Sequence, residues 1–233
     1  METKYHERRA AMMKRLVIIC EGPTEKEFCK DLLASALSSY EIYVYTPLIK
    51  QSGGGIVPWN VLKRQIEGHL REGDAFVTML IDYYGIKDIH KFPLWEESKS
   101  ITDMPERIHY LCKAMHNDID PNVRKRFIPY MQLHEFEGLL FSDITKFKNC
   151  YPEEKMNYSA LEKARSLFPT PEYINNNPST APSKRLIAAI PSYNKVLDGN
   201  CIAMDIGLPT IRRECPLFHE WLTRLEQLKI SSV

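Results

Sequence analysis

The chain has 233 residues, 44% hydrophobic and 26% charged, which allows one sizeable buried core and argues against wholesale disorder. Thirty-one basic residues against 30 acidic ones leave a net charge of +1, so any hold on a polyanion must come from a local patch. No apolar run approaches the roughly 20 residues of a membrane-spanning helix, and no signal-peptide core follows the polar first 13 residues.

Arg15–Cys20 (RLVIIC) is short, apolar and β-branched, which predicts a fully buried strand. It stops at Glu21-Gly22-Pro23. Thr24 and Glu27 have capping-box spacing, and Phe28, Leu32, Leu33 and Leu37 repeat with helical period, so a helix is expected to about Leu37. A second strand is expected over Ile42–Ile49, followed by Ser52-Gly53-Gly54-Gly55 and a helix over Val57–Arg71. Asp74–Ile81 predicts a third strand ending on Asp82. A loop with Pro93 and aromatic residues leads to a helix over Pro105–Asp118. Phe127–Leu133 predicts a fourth strand ending on His134-Glu135.

Strands alternating with helices predict an α/β fold with a mostly parallel, Rossmann-like sheet flanked by helices. Past about Thr145 the strand signals fade. Short helices are expected near Ala160–Leu167, Ser183–Ile190 and Pro216–Leu228. This divides the chain into an α/β core over 14–145 and a helical C-terminal part over 146–233 packed on it. Six cysteines without CxxC or zinc spacing predict free thiols in a reducing cytoplasm.

Three of the expected strands end in an acid: Glu21, Asp82 and Glu135. In an open parallel sheet, ligands bind beyond the carboxyl ends of the strands, so these residues converge. Glu25, one turn into the first helix, and Glu137, two past Glu135, can join them. Crowded carboxylates repel one another unless a cation neutralises them, and oxygen-rich clusters select hard ions such as Mg²⁺ or Mn²⁺. Each acid alone has a plainer reading as a helix cap or a solvated residue. Gly22 permits a sharp turn where helix N–H groups meet a phosphate. Gly53, Gly54 and Gly55 read as a phosphate cradle, a flap or a plain loop. Lys184, with Ser183 and Arg185, sits at a helix start, where a lysine could stabilise charge on a phosphate or simply be solvated. His134 reads as a structural histidine, a base or a ligand. Tyr83, Tyr84, Phe92 and Trp95 could stack on bases or pack on the sheet.

The blocks EGPTEKEF, LIDYYG, HEFEGLLFSD and APSKRL, spread from Glu21 to Leu186, resemble a bacterial domain-of-unknown-function family with a Toprim-like fold, similar to the OLD (overcoming lysogenization defect) nucleases. The resemblance implies a Mg²⁺-dependent nuclease acting on DNA or RNA. In it Glu21, Glu25 and Asp82 hold metal, Glu135 and Glu137 serve a second metal, and Lys184 stabilises charge. It further implies an ABC- or SMC-type ATPase partner in bacterial antiviral defence, and is compatible with a homo-oligomer. One departure stands out. Toprim domains carry Asp-x-Asp after the third strand, and here the motif reads Asp82-Tyr83-Tyr84, so Asp88, Glu135 or Glu137 must replace the second aspartate or the site is weakened. The alternative expectation is a catalytically weakened interaction subunit that binds an ATPase or nucleic acid.

Overall fold

The computed structural model describes residues 13–53, 55–175 and 177–228, so the N-terminal lead, Gly54 and the last five residues lie outside it. Four strands form one all-parallel sheet in the order β2-β1-β3-β4, with β1 spanning Lys14–Cys20, β2 Ile42–Tyr45, β3 Phe76–Leu80 and β4 Phe127–Ile128. From Leu16 to Cys20 every residue of β1 is buried, and all of β3 is buried. Such unbroken buried runs mark strands covered on both faces. The α/β fold and its helical C-terminal region match the sequence reading.

Both outer strands are shorter than their apolar runs suggest. Pro47 interrupts β2, although its carbonyl still accepts the N–H of Cys20 at 2.9 Å and Leu48 makes one further bridge to Cys20. Pro129 ends β4 because it has no N–H for the ladder. A single bridge between Asp82 and Gln132 then carries the pairing onward.

The helices are α1 (Pro23–Phe28), α2 (Ala34–Ser38), α3 (Trp59–Arg71), α4 (Trp95–Ser98), α5 (Met104–Asp118), α6 (Phe147–Cys150), α7 (Tyr158–Ser166), α8 (Pro182–Ala189), α9 (Leu197–Ile206), α10 (Leu208–Glu214) and α11 (Pro216–Glu226). A π-helical turn over Cys29–Leu33 joins α1 to α2, closed by the Ala34 N–H on the Cys29 carbonyl. α5 starts on Asp103, whose side chain accepts the Glu106 N–H at 2.8 Å. α9 and α10 escape the sequence reading. Gly207, at φ +75°, separates them in a conformation that glycine adopts without strain.

α11 seals the sheet from the C-terminal side of the chain. Trp221 stacks on Tyr130 with ring centroids 4.4 Å apart, and its Nε1 donates to Thr78 Oγ1 at 2.9 Å. Thr78, on β3, in turn donates to the Ile128 carbonyl on β4 at 2.5 Å. Glu172 accepts the N–H groups of Leu217 and Phe218 at the start of α11. One hydrophobic core therefore runs from Leu16 to Leu228. All six cysteines are free thiols. Among the described residues, no helix is long and apolar enough to cross a membrane.

Candidate functional site

The sheet order puts β1, β3 and β4 side by side, so Glu21, Asp82 and Glu135 leave the carboxyl ends of three neighbouring strands. Glu25 enters from the first turn of α1, and Glu137 from the 3₁₀ turn Phe136–Ser142. Backbone N–H groups hold four of the five acids. Glu21 Oε2 accepts from Asp82 at 2.9 Å, and Glu25 Oε2 from Gly22 at 2.9 Å. Asp82 Oδ1 accepts from Phe136 at 3.0 Å, and Glu135 Oε2 from Ser183 at 2.9 Å. Each acid thus spends one oxygen on fixing a neighbouring loop. The second oxygen of each accepts no hydrogen bond among the described residues. The helix-capping arm comes from Glu25 and not from Glu27, because Gly22 is the N-cap.

The acids are close enough to feel one another. Burial, then the charges of Glu25, Glu21 and Glu135, push the Asp82 carboxyl well above the usual range, against the pull of Lys195. Glu21 is pushed up to about 7, first by burial and then by Glu25 and Glu135, with the Asp82 N–H and Lys195 opposing.

Lys195 is the cation of the cluster, and nothing in its sequence context pointed to it. Its Nζ lies 2.9 Å from Oε1 of Glu137, a residue with no exposed surface. Among the described residues, neither Glu137 oxygen accepts a well-aligned hydrogen bond, so the ion pair with Lys195 is what neutralises it. Two residues earlier, the Tyr193 hydroxyl is buried without a partner among the described residues, against the position where Gly199 lacks a side chain. The loop ahead of α9 delivers both groups.

The other sequence-nominated residues divide. Glycines crowd Glu21: a Cβ on Gly85 would stand 3.3 Å from Glu21 Oε1, and one on Gly55 4.0 Å. Gly55 has φ +113°, whereas Gly53 faces open space and Gly54 lies outside the described residues. The Gly22 N–H is taken by Glu25. Ser183 contributes its backbone N–H to Glu135. His134 takes the left-handed conformation at φ +68° just before Glu135, and its carbonyl accepts the Tyr84 N–H. Burial lowers its imidazole to about 4, so it is neutral at pH 7, with Asn175 Nδ2 3.3 Å from Nδ1. Lys184 is exposed and forms no ion pair among the described residues. Arg185 donates to the Thr180 carbonyl and lies over the Phe168 ring. Asp88 is bound by Trp95 Nε1 and Lys99 Nζ, which holds its carboxylate away from the acidic cluster.

The chemistry of the donor set fits a hard divalent cation: oxygen only, strongly anionic, with one spare oxygen on each of four acids. The spacing is looser than the chemistry. Among the described residues, no three His, Cys, Asp or Glu form a ready-made metal-binding group. A cation at this site has to draw the carboxylates together.

Residues 20–226 match a family described as a domain of unknown function, DUF4276. That span covers most of the chain, and the chain belongs to this family. No curated protein and no solved structure matches it.

Proposed function

We propose that this DUF4276 member is a metal-dependent nuclease with a Toprim-like active site, hydrolysing phosphodiester bonds of DNA or RNA. The observation that carries the reading is the convergence of Glu21, Glu25, Asp82 and Glu135 at the carboxyl ends of three adjacent parallel strands, beside Lys195. The likeness of the four sequence blocks to the OLD nucleases supports it.

Glu21, Glu25 and Asp82 would hold Mg²⁺ or Mn²⁺, with Glu135 completing the set. Such an ion supplies a polarised phosphoryl group and an activated water. The protein's own groups do the rest. Backbone N–H groups keep each carboxylate oriented before substrate arrives. Glu137 fixes the Lys195 ammonium beside the cluster, where it offsets charge on the transferring phosphate. Lys195 takes over the role that the sequence suggested for Lys184. His134 stays uncharged, so it serves as a positioning group for the turn that carries Glu135. An ATPase partner belongs to the same proposal and rests on the resemblance alone, while a cytoplasmic location rests on the free cysteines.

The test is cleavage of a panel of plasmid, single-stranded DNA and tRNA with Mg²⁺, Mn²⁺ or EDTA. Cutting that needs metal and disappears in Asp82→Asn supports the proposal, whereas cutting unchanged in Asp82→Asn and Glu21→Gln ends it. One observation favours a second reading, a non-catalytic subunit: Tyr84 stands where Toprim domains carry a second acid, and among the described residues no three acids form a ready-made metal-binding group. A melting temperature indifferent to Mg²⁺ and Mn²⁺ would favour that reading, because specific binding to the folded state must raise it.

A further inference from the structure

The edge of the sheet farthest from β4 is oddly furnished for solvent. β2 exposes Tyr43 at 59% and Tyr45 at 53% of their surface, two residues apart and hence on one face. Parallel register places Arg15 beside Tyr43. Tyr45 meets the ring of His69 on α3 edge-on, with centroids 6.3 Å apart. One turn back on that helix, the Gln65 side chain accepts the Lys50 N–H at 2.8 Å and donates to the Leu48 carbonyl at 3.0 Å. Lys50 and Arg64 then flank a shallow pocket of about 250 Å³. Arg15, Lys50 and Arg64 are exposed and form no ion pair among the described residues. Of the acids on this side, Glu72 is bonded to His69, and Glu41 stands exposed just ahead of β2. From Lys50 the chain runs five residues to Gly55, next to Glu21.

From this we infer that the β2 edge is a track for single-stranded nucleic acid leading to the acidic site, a statement that rests on the nuclease reading and narrows its substrate. Tyr43 and Tyr45 are the base platforms, and Arg15, Lys50 and Arg64 meet phosphates. Spacing selects a single strand. Same-face positions along a strand repeat about every 6.6 Å of backbone, twice the ~3.4 Å rise per stacked base. Unstacked bases can therefore take one tyrosine each, while a stacked duplex presents no base faces. Aromatic faces beside a positively charged groove are the ordinary equipment of sequence-tolerant single-strand binding.

The experiment is fluorescence anisotropy of a labelled 12-nucleotide DNA, the matching RNA, and a duplex of the same sequence, all in EDTA. In EDTA nothing is cut and no metal is required. The expected result is binding of a single strand about tenfold or more tighter than the duplex. Tyr43→Ala/Tyr45→Ala should weaken it about tenfold or more, and Tyr43→Phe/Tyr45→Phe should retain it. Lys50→Ala/Arg64→Ala should reduce the steepness of the salt dependence by one to two phosphate contacts. Circular dichroism of each variant reports its fold. Equal affinity for duplex and single strand overturns the inference, as does full binding by the folded double-alanine variant or no binding at all. The Mg²⁺-dependent melting shift of the unsubstituted chain reads the acidic site separately. If that shift is absent and single strands still bind, the nuclease reading falls and the track stands.

Discussion

Asp82 donates its backbone N–H to Glu21 Oε2 over 2.9 Å, so the main chain ties together two side chains that repel each other as charges. The sheet forces this. β1 and β3 are paired up to Cys20 and Leu80, and the next residues of each strand must share the same edge. Folding therefore stores electrostatic repulsion at the site, and a cation is the natural means of releasing it.

Asp82→Asn should stabilise the chain in EDTA. The amide keeps an oxygen for the Phe136 N–H and removes a crowded acid. A gain on the order of 1 kcal/mol, or about 2–4 °C in melting temperature, is expected by scanning calorimetry. The same variant should lose the upward shift that Mg²⁺ gives the unsubstituted protein. A loss of stability in EDTA would show that the carboxylate is not under strain.

Stability without metal should fall as pH rises from about 4.5 to about 7. Glu21 is pushed up to about 7 and Asp82 also lies above its ordinary range. A carboxyl whose folded value is raised contributes stability below its unfolded value, and that contribution is lost as pH climbs through the folded value. Glu172, pushed up to about 7 chiefly by burial, adds to the same slope. Melting temperatures across this window in EDTA should decline, and Glu21→Gln should flatten the decline in part. A flat profile in the unsubstituted protein would refute the assignment.

Lys195→Met should destabilise the fold, because it strands the fully buried Glu137 without its cation. Lys195 itself is half exposed, so the cost is about 2 kcal/mol and not the ~3–5 kcal/mol of a wholly buried pair. Urea titrations of Lys195→Met, Glu137→Gln and the double variant form a cycle. The double variant should recover much of the loss, and strict additivity would mean that the two groups do not interact.

Glu172→Ala should cost about 2–4 kcal/mol, since it leaves the buried N–H groups of Leu217 and Phe218 without acceptors. Glu172→Gln retains one acceptor and should cost about half. Trp221 packs in the helix so capped, so its fluorescence reports the loss directly.

Much of the fold was legible because buried parallel strands and amphipathic helices write their periods into the chain. Pro47 and Pro129 shortened β2 and β4 while leaving the apolar character that suggested longer strands. α9 and α10 were hidden by Gly199, Gly207 and Pro209, which look like breaks but serve as a close approach to Tyr193, a linker and a first-turn proline. At the site, the three strand-end acids and Glu25 were readable from position alone. Lys195 was not, because it lies on a loop with no period, and only the packing of that loop on Glu137 gives it a role. Lys184 drew attention as a lysine at a helix start, yet α8 turns it to solvent.

The bond between Thr78 and Trp221 spans 143 positions, which at ribosomal speeds of about 5–20 residues per second puts some 7–30 s between the emergence of its two ends. Until Trp221 emerges, Thr78 lacks its indole donor and β4, the short strand at the edge of the sheet, lacks the ring that stacks on Tyr130. Contacts so distant along the chain also slow the final collapse. During synthesis this side of the sheet stays uncovered until α11 emerges.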